Sequence, residues 1–124
     1  NELKDNVLLP GYKIDVYKYL YNCKLFILSS LWEDPGFVML EAMYARSLVL
    51  SSDCPSGPKE IVSKSEKRGI LFKSNNIDDF LIKFNEIQNL NSNKVKLLKF
   101  NAKKFTRKFS IFNHHKSLIK ILDN

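Results

Sequence analysis

Two glutamates with seven residues between them, Glu33 and Glu41, stand in the stretch "WEDPGFVMLEA". An aromatic, acidic Pro-Gly turn there runs straight into an apolar segment. A glycine at a helix start lets backbone N–H groups approach an anion closely, and the helix N-terminus adds a partial positive charge. Gly36, Phe37 and Val38 thus form a candidate phosphate cradle that needs no cation. Carboxylates beside a phosphate would repel it. They make chemical sense if they accept hydrogen bonds from hydroxyls on either side of the phosphates, as in a ligand with a sugar at each end of a diphosphate. The competing reading is simpler: an acid before or within a first helical turn commonly does no more than compensate the dipole.

Elements must hold these residues in place. "NVLLPG" is a short apolar run stopped by Pro10-Gly11 and reads as a buried strand over 7–9. "YKIDVYKYLYN" repeats apolar and aromatic residues at helical spacing and predicts a helix over 13–22. "CKLFILSS" gives a strand over 24–28, "GFVMLEAMYA" a helix over 37–45, and "SLVLSS" a strand over 48–51. A short helix starts at Pro58, where proline suits the first turn, and "GILF" is a strand over 70–72. "NNIDDFLIKFNEIQNL" has a capping Asn, acids in its first turn and apolar residues at helical spacing. Two more helices follow from 92 to the end, broken near "FSIFN". Strands apolar throughout and joined by helices predict an α/β fold: a Rossmann-like parallel sheet flanked by helices. In such sheets ligands bind at the carboxyl ends of the strands, where the loops "SSLWEDPG" and "SSDCPSGP" lie.

Length and composition bound the rest. The 124 residues fit one domain, and 44% hydrophobic with 27% charged residues is globular rather than disordered. The net charge of +7 suits nucleic acid, an anionic membrane surface or a phosphorylated ligand alike. Cys23 and Cys54 have no CxxC or histidine partner at metal spacing, which argues against a disulfide scaffold or zinc site and for a reducing, cytoplasmic setting. No apolar run reaches the roughly 20 residues that span a bilayer. The chain opens on Asn1 in a polar stretch, which reads as a domain cut from something longer.

"SSLWEDPGFVMLEAM", then "LVLSSDCPSGPKEIV" and "GILF", resembles the C-terminal, nucleotide-sugar-binding half of the retaining glycosyltransferases of GT-B architecture, the group 1 or family 4 type. The resemblance runs from about Val7 to Phe72 and implies an N-terminally truncated fold: a partial donor-binding domain over 1–91 with C-terminal helices over 92–124 packed on it. It implies that Glu33, Asp34, Pro35, Gly36 and Phe37 border the donor sugar. Val38 and Glu41 would meet the nucleotide, with Glu41 on the ribose, and Gly11, Tyr12 and Lys13 would border the base. The implied substrate is a nucleotide diphosphate sugar, transferred to a saccharide or lipid-linked acceptor, with no cofactor and no metal. An N-terminal acceptor-binding domain is the implied partner. The family's basic Arg and Lys for the diphosphate belong to earlier strands, and nothing before Val7 supplies them, so the catalytic groups stay unassigned and this chain alone is expected to be inactive. Where the family has a glycine after the Ala-Met helix and a proline before the next strand, this chain has Arg46 and Leu48. An arginine held in the left-handed region costs on the order of 1 kcal/mol relative to glycine.

Other constellations read as ordinary structure. His114 and His115 are adjacent on a helix, point about 100° apart and read as surface residues. No serine sits in a G-x-S-x-G elbow. The tail interleaves Lys94, Lys96, Lys99, Lys103, Lys104, Arg107 and Lys108 with Phe100, Phe105 and Phe109. It reads as a solvated helix face whose phenylalanines pack on the sheet, in preference to a nucleic-acid track. Peripheral contact with the inner face of a membrane is the third use, and it suits a lipid-linked acceptor. The runner-up for the whole chain is a noncatalytic Rossmann-like module binding a nucleotide or nucleic acid.

Overall fold

The computed structural model describes residues 5–63 and 65–123. The first residues of the expected 1–91 unit, together with Lys64 and Asn124, lie outside the described residues. Element order is α1 (Tyr17–Asn22), β1 (Leu25–Leu28), α2 (Phe37–Tyr44), β2 (Leu48–Ser52), α3 (Pro58–Val62), β3 (Ile70–Phe72), α4 (Ile77–Gln88), α5 (Ser92–Thr106), a 3₁₀ turn (Arg107–Phe109) and α6 (Ile111–Leu122). The three strands form one parallel sheet in the order β1-β2-β3, with Leu25 opposite Leu48 and Leu50 opposite Ile70.

The central strand explains the layering. All five residues of β2 are buried, and successive side chains of a strand point to opposite faces. Val49 joins a cluster with Leu20 of α1, Met39 and Met43 of α2, Ile61 and Val62 of α3 and Ala102 of α5. Leu48 and Leu50 join the other cluster, with Phe72 and Ile87, and with Phe80, Phe84 and Leu98 packed against it. The sheet is therefore covered on both faces, as its uniformly apolar strands require.

Local chemistry sets the helix boundaries. The Asn76 side chain accepts from the Asp79 N–H at 2.8 Å and starts α4, and Asn91 does the same for α5 from Lys94 at 2.9 Å. At the C-terminus of α2, Arg46 is left-handed at φ 64°. The Ser47 N–H reaches the Ala42 carbonyl at 2.9 Å, and the Arg46 N–H reaches Met43 at 3.1 Å. That is a Schellman ending, built here around an arginine where glycine is the usual residue. Ser47 is buried; its hydroxyl donates to the Leu20 carbonyl at 2.6 Å and fastens α1 to the start of β2.

Three expectations need correction. Residues 7–9 form no strand: Val7, Leu8 and Leu9 are exposed coil, and among the described residues no strand pairs with them, which an apolar run needs in order to enter a sheet. The first helix begins at Tyr17 rather than 13, and Ile14 is 93% exposed. Phe100 and Phe109 do not pack on the sheet; they are 66% and 51% exposed, and of the three tail phenylalanines only Phe105 reaches the core. No residue of α6 is buried, although its apolar residues lie at helical spacing, which leaves Ile111, Phe112, Ile121 and Leu122 open. Among the described residues no helix is long and apolar enough to cross a membrane.

Candidate functional site

Parallel pairing puts the loops after β1, β2 and β3 at one edge of the sheet. Side chains and backbone stitch them together in series. The Ser52 hydroxyl donates to the Ser30 carbonyl at 2.6 Å, and the Glu33 N–H reaches the Pro55 carbonyl at 3.4 Å. Asp53 accepts from the Ser74 N–H at 2.8 Å and lies 3.7 Å from the Lys59 ammonium. Gly57, at φ 127°, lies so close to Pro35 that a Cβ there would stand 2.0 Å from the Pro35 carbonyl oxygen. The Asp34–Pro35 peptide is cis.

This stitched edge presents Gly36, the N-cap of α2, at φ 81°. A Cβ at Gly36 would meet the Met39 Cε at 2.6 Å and the Glu33 Oε2 at 3.3 Å, so Glu33 leans directly against the glycine. No side chain caps α2 and no acid occupies its first turn, so the leading N–H groups are left for another acceptor. Phe37 is 60% exposed, Val38 is half-buried and Asp34 is exposed.

Glu41 lies in the second turn of α2, about 6 Å along the axis from Phe37 at 1.5 Å per residue. It lines a cleft of about 480 Å³ with Tyr17, Phe37, Tyr44, Phe109 and His114 among its walls. Burial, with the Glu41 carboxylate next in importance, raises the Tyr17 phenol above its ordinary pKa. Glu33 does not line this cleft; it belongs to the loop edge beyond the helix start. Both glutamates are half-buried, and among the described residues neither carboxylate has a hydrogen-bond or ion-pair partner. Gly11, Tyr12 and Lys13 stay apart: they are exposed coil, Tyr12 is 91% exposed, and no described hydrogen bond joins them to α2 or to the loop at 29–36.

Sequence reasoning placed the loop after β2 at the site but missed how it works. Gly57 acts on Pro35 and Pro55 acts on Glu33, across distances in the chain that no local pattern reveals; the pair of prolines around Gly57 was the available signal. His114 was read as a surface residue, and it is exposed, yet it also forms part of the Glu41 cleft.

Comparison with known proteins identifies the family and the fold. Residues 1–105 match the family described as glycosyl transferases group 1. Over 87 residues the chain is 33% identical to poly(ribitol-phosphate) alpha-N-acetylglucosaminyltransferase of Staphylococcus aureus, covering 70% of this chain and 17% of the relative. It is 31% identical over 64 residues to the Campylobacter jejuni N-acetylgalactosamine-N,N'-diacetylbacillosaminyl-diphospho-undecaprenol 4-alpha-N-acetylgalactosaminyltransferase, covering 52% of this chain and 18% of that one. A solved glycosyltransferase from Rickettsia africae shares the fold at a TM-score of 0.84 and 18% identity, over 97% of this chain and 32% of its own. The structure of Anabaena Alr3699/HepE in complex with UDP does so at 0.84 and 21% identity, over 98% and 33%. The chain thus spans under a fifth of these curated relatives and about a third of these solved structures. With helices on both faces of a parallel sheet and a group 1 match over most of its length, the chain is part of a GT-B, Rossmann-like fold and belongs to the glycosyl transferases group 1 family.

Proposed function

We propose that this chain carries the donor half of an enzyme that transfers a sugar from a nucleotide diphosphate sugar to a saccharide or lipid-linked acceptor. The observation that carries the reading is the pair of half-buried, unpartnered carboxylates set before and behind an uncapped helix start. Glu33 accepts hydrogen bonds from the donor sugar, helped in shaping that pocket by Asp34, Pro35 and Phe37. The N–H groups at Gly36, Phe37 and Val38 receive the diphosphate. Glu41, one turn further, takes the ribose hydroxyls, and Gly11-Tyr12-Lys13 borders the base. Transfer proceeds with retention at the anomeric carbon. Helix N–H groups together with basic side chains from elsewhere in the enzyme neutralise the departing diphosphate, so the reaction needs no metal. An acceptor-binding domain completes the site, and the 124 residues alone do not catalyse transfer.

Two of the proteins compared above support this reading: one acts on a diphospho-undecaprenol-linked glycan, and one structural neighbour was solved with UDP. The test is calorimetric titration of UDP, GDP and ADP into the full-length protein and its Glu41→Ala and Glu33→Ala variants, alongside transfer rates. Loss of the ribose contact at Glu41 should weaken nucleotide binding by about 1.5–3 kcal/mol, the range for hydrogen bonds to a charged group. Glu33→Ala should leave nucleotide binding nearly intact and abolish transfer. Unchanged nucleotide affinity in Glu41→Ala would remove the ribose role.

A further inference from the structure

Between Asn91 and Leu122 the chain has nine lysines and arginines and no acid. Helical spacing gathers part of this charge on one face of α5. Lys96, Lys99, Lys103, Lys104 and Arg107, joined by Arg46 from the end of α2, line a shallow depression of about 430 Å³. The face runs about 16 Å at 1.5 Å per residue. Among the described residues none of these six cations has a carboxylate partner. Burial first, then the charges of Arg46 and Arg107, lower the pKa of Lys103, so the three cations converge.

Two further features cost stability and lie on the same face. Phe100 stands among the cations and is 66% exposed. Arg46 occupies a left-handed position at φ 64°, which favours glycine. The opposite side of α5 is fixed, because Ala102 and Thr106 are buried, so the helix cannot turn this face inward.

We propose that this face of α5, with Arg46 at its edge, is a docking surface for an anionic lipid bilayer. The proposal deepens the reading above, since it places the membrane of a lipid-linked acceptor on a defined side of the enzyme. Point charges along one helix face suit a diffuse negative surface, each strengthening attachment about fivefold close to it. The exposed Phe100 suits insertion at the headgroup boundary. A single-stranded nucleic acid would call for several aromatic platforms in series, and Phe100 is the one aromatic side chain that lines this depression.

The test is flotation of the full-length protein with phosphatidylcholine vesicles, with and without phosphatidylglycerol. Binding should require phosphatidylglycerol and fall steeply between about 0.1 M and about 1 M salt, as the screening length drops from about 10 to about 3 Å. Joint replacement of Lys96, Lys99, Lys104 and Arg107 by glutamine should weaken it about fivefold per charge removed. Phe100→Ser, which leaves every charge in place, should weaken it several-fold and guards against a folding defect in the quadruple variant. UDP titration of the same proteins reads the donor site separately: vesicle binding lost with UDP binding kept supports the docking surface. Failure of the wild type to bind UDP, GDP and ADP alike would count against the donor reading alone. Indifference to phosphatidylglycerol, equal binding by both variants, or displacement from vesicles by an RNA oligonucleotide bound more tightly would overturn the proposal.

Discussion

Gly57 and Pro35 meet backbone to backbone, with the Pro35 carbonyl oxygen 2.0 Å from where a Cβ of residue 57 would stand. The contact locks the loop after β2 onto the loop that delivers Glu33 and Gly36.

Gly57→Ala should therefore lower stability by about 2 kcal/mol or more, since the obstacle is backbone and the φ of 127° is itself closed to alanine. Nucleotide binding should weaken in the same variant, because the start of α2 shifts with Pro35. Chemical denaturation and calorimetric titration measure the two effects.

Gly36→Ala should separate them. Its obstacles are the Met39 Cε at 2.6 Å, the far end of a flexible side chain, and the Glu33 Oε2 at 3.3 Å. The φ of 81° adds on the order of 1 kcal/mol of strain. Stability should fall modestly while transfer falls strongly, as the Glu33 carboxylate is pushed from its place. A loss of stability as large as that of Gly57→Ala, with transfer in proportion, would contradict this.

Arg46→Gly should raise stability by about 1 kcal/mol by relieving the left-handed arginine in the Schellman ending. Thermal unfolding at low salt checks the gain, which should include the release of repulsion on Lys103.

Arg68 was invisible in the sequence and is among the most consequential side chains. It is 5% exposed, its Nε donates to the Ile61 carbonyl at 2.8 Å, and its remaining nitrogens reach the Glu60 carbonyl and the Glu66 carboxylate. Its guanidinium lies 3.6 Å from the centre of the Phe105 ring. Arg68→Ala should cost about 3 kcal/mol, because it strands buried carbonyls and removes a cation–π contact between the sheet side and α5. Equilibrium unfolding in urea would reveal it, with little change in nucleotide affinity per folded molecule.

What could be read in the chain follows from the range of the forces involved. The runs at 24–28, 48–51 and 70–72 were legible because a strand buried on both faces must be apolar throughout. Asn76 was legible because a cap acts three residues away. The helix over Phe37–Tyr44 was legible from Pro35-Gly36. The run at 7–9 obeyed the same pattern and misled, since an apolar run becomes a strand only beside another strand. Phe100 misled for another reason: all three tail phenylalanines are expected on the sheet, while the buried side of α5 passes through Leu98, Ala102 and Phe105. Gly57, Arg68 and the stitching of Ser52 to Ser30 depend on contacts between distant segments, which no window of sequence contains.

At the far end of α2 the Lys103 ammonium donates to the Tyr44 carbonyl at 2.6 Å and lies 3.2 Å from the centre of the Tyr44 ring. One helix of eight residues is thus gripped at its last turn by α5 and open at its first turn toward the stitched loops. Its middle, with Met39, Ala42 and Met43 fully buried, has no room to bend between the two. In hydrogen exchange, the hydrogen-bonded amides of α2 should therefore open as one unit, and Lys103→Met should speed them together, those near Glu41 included, rather than fray the last turn alone.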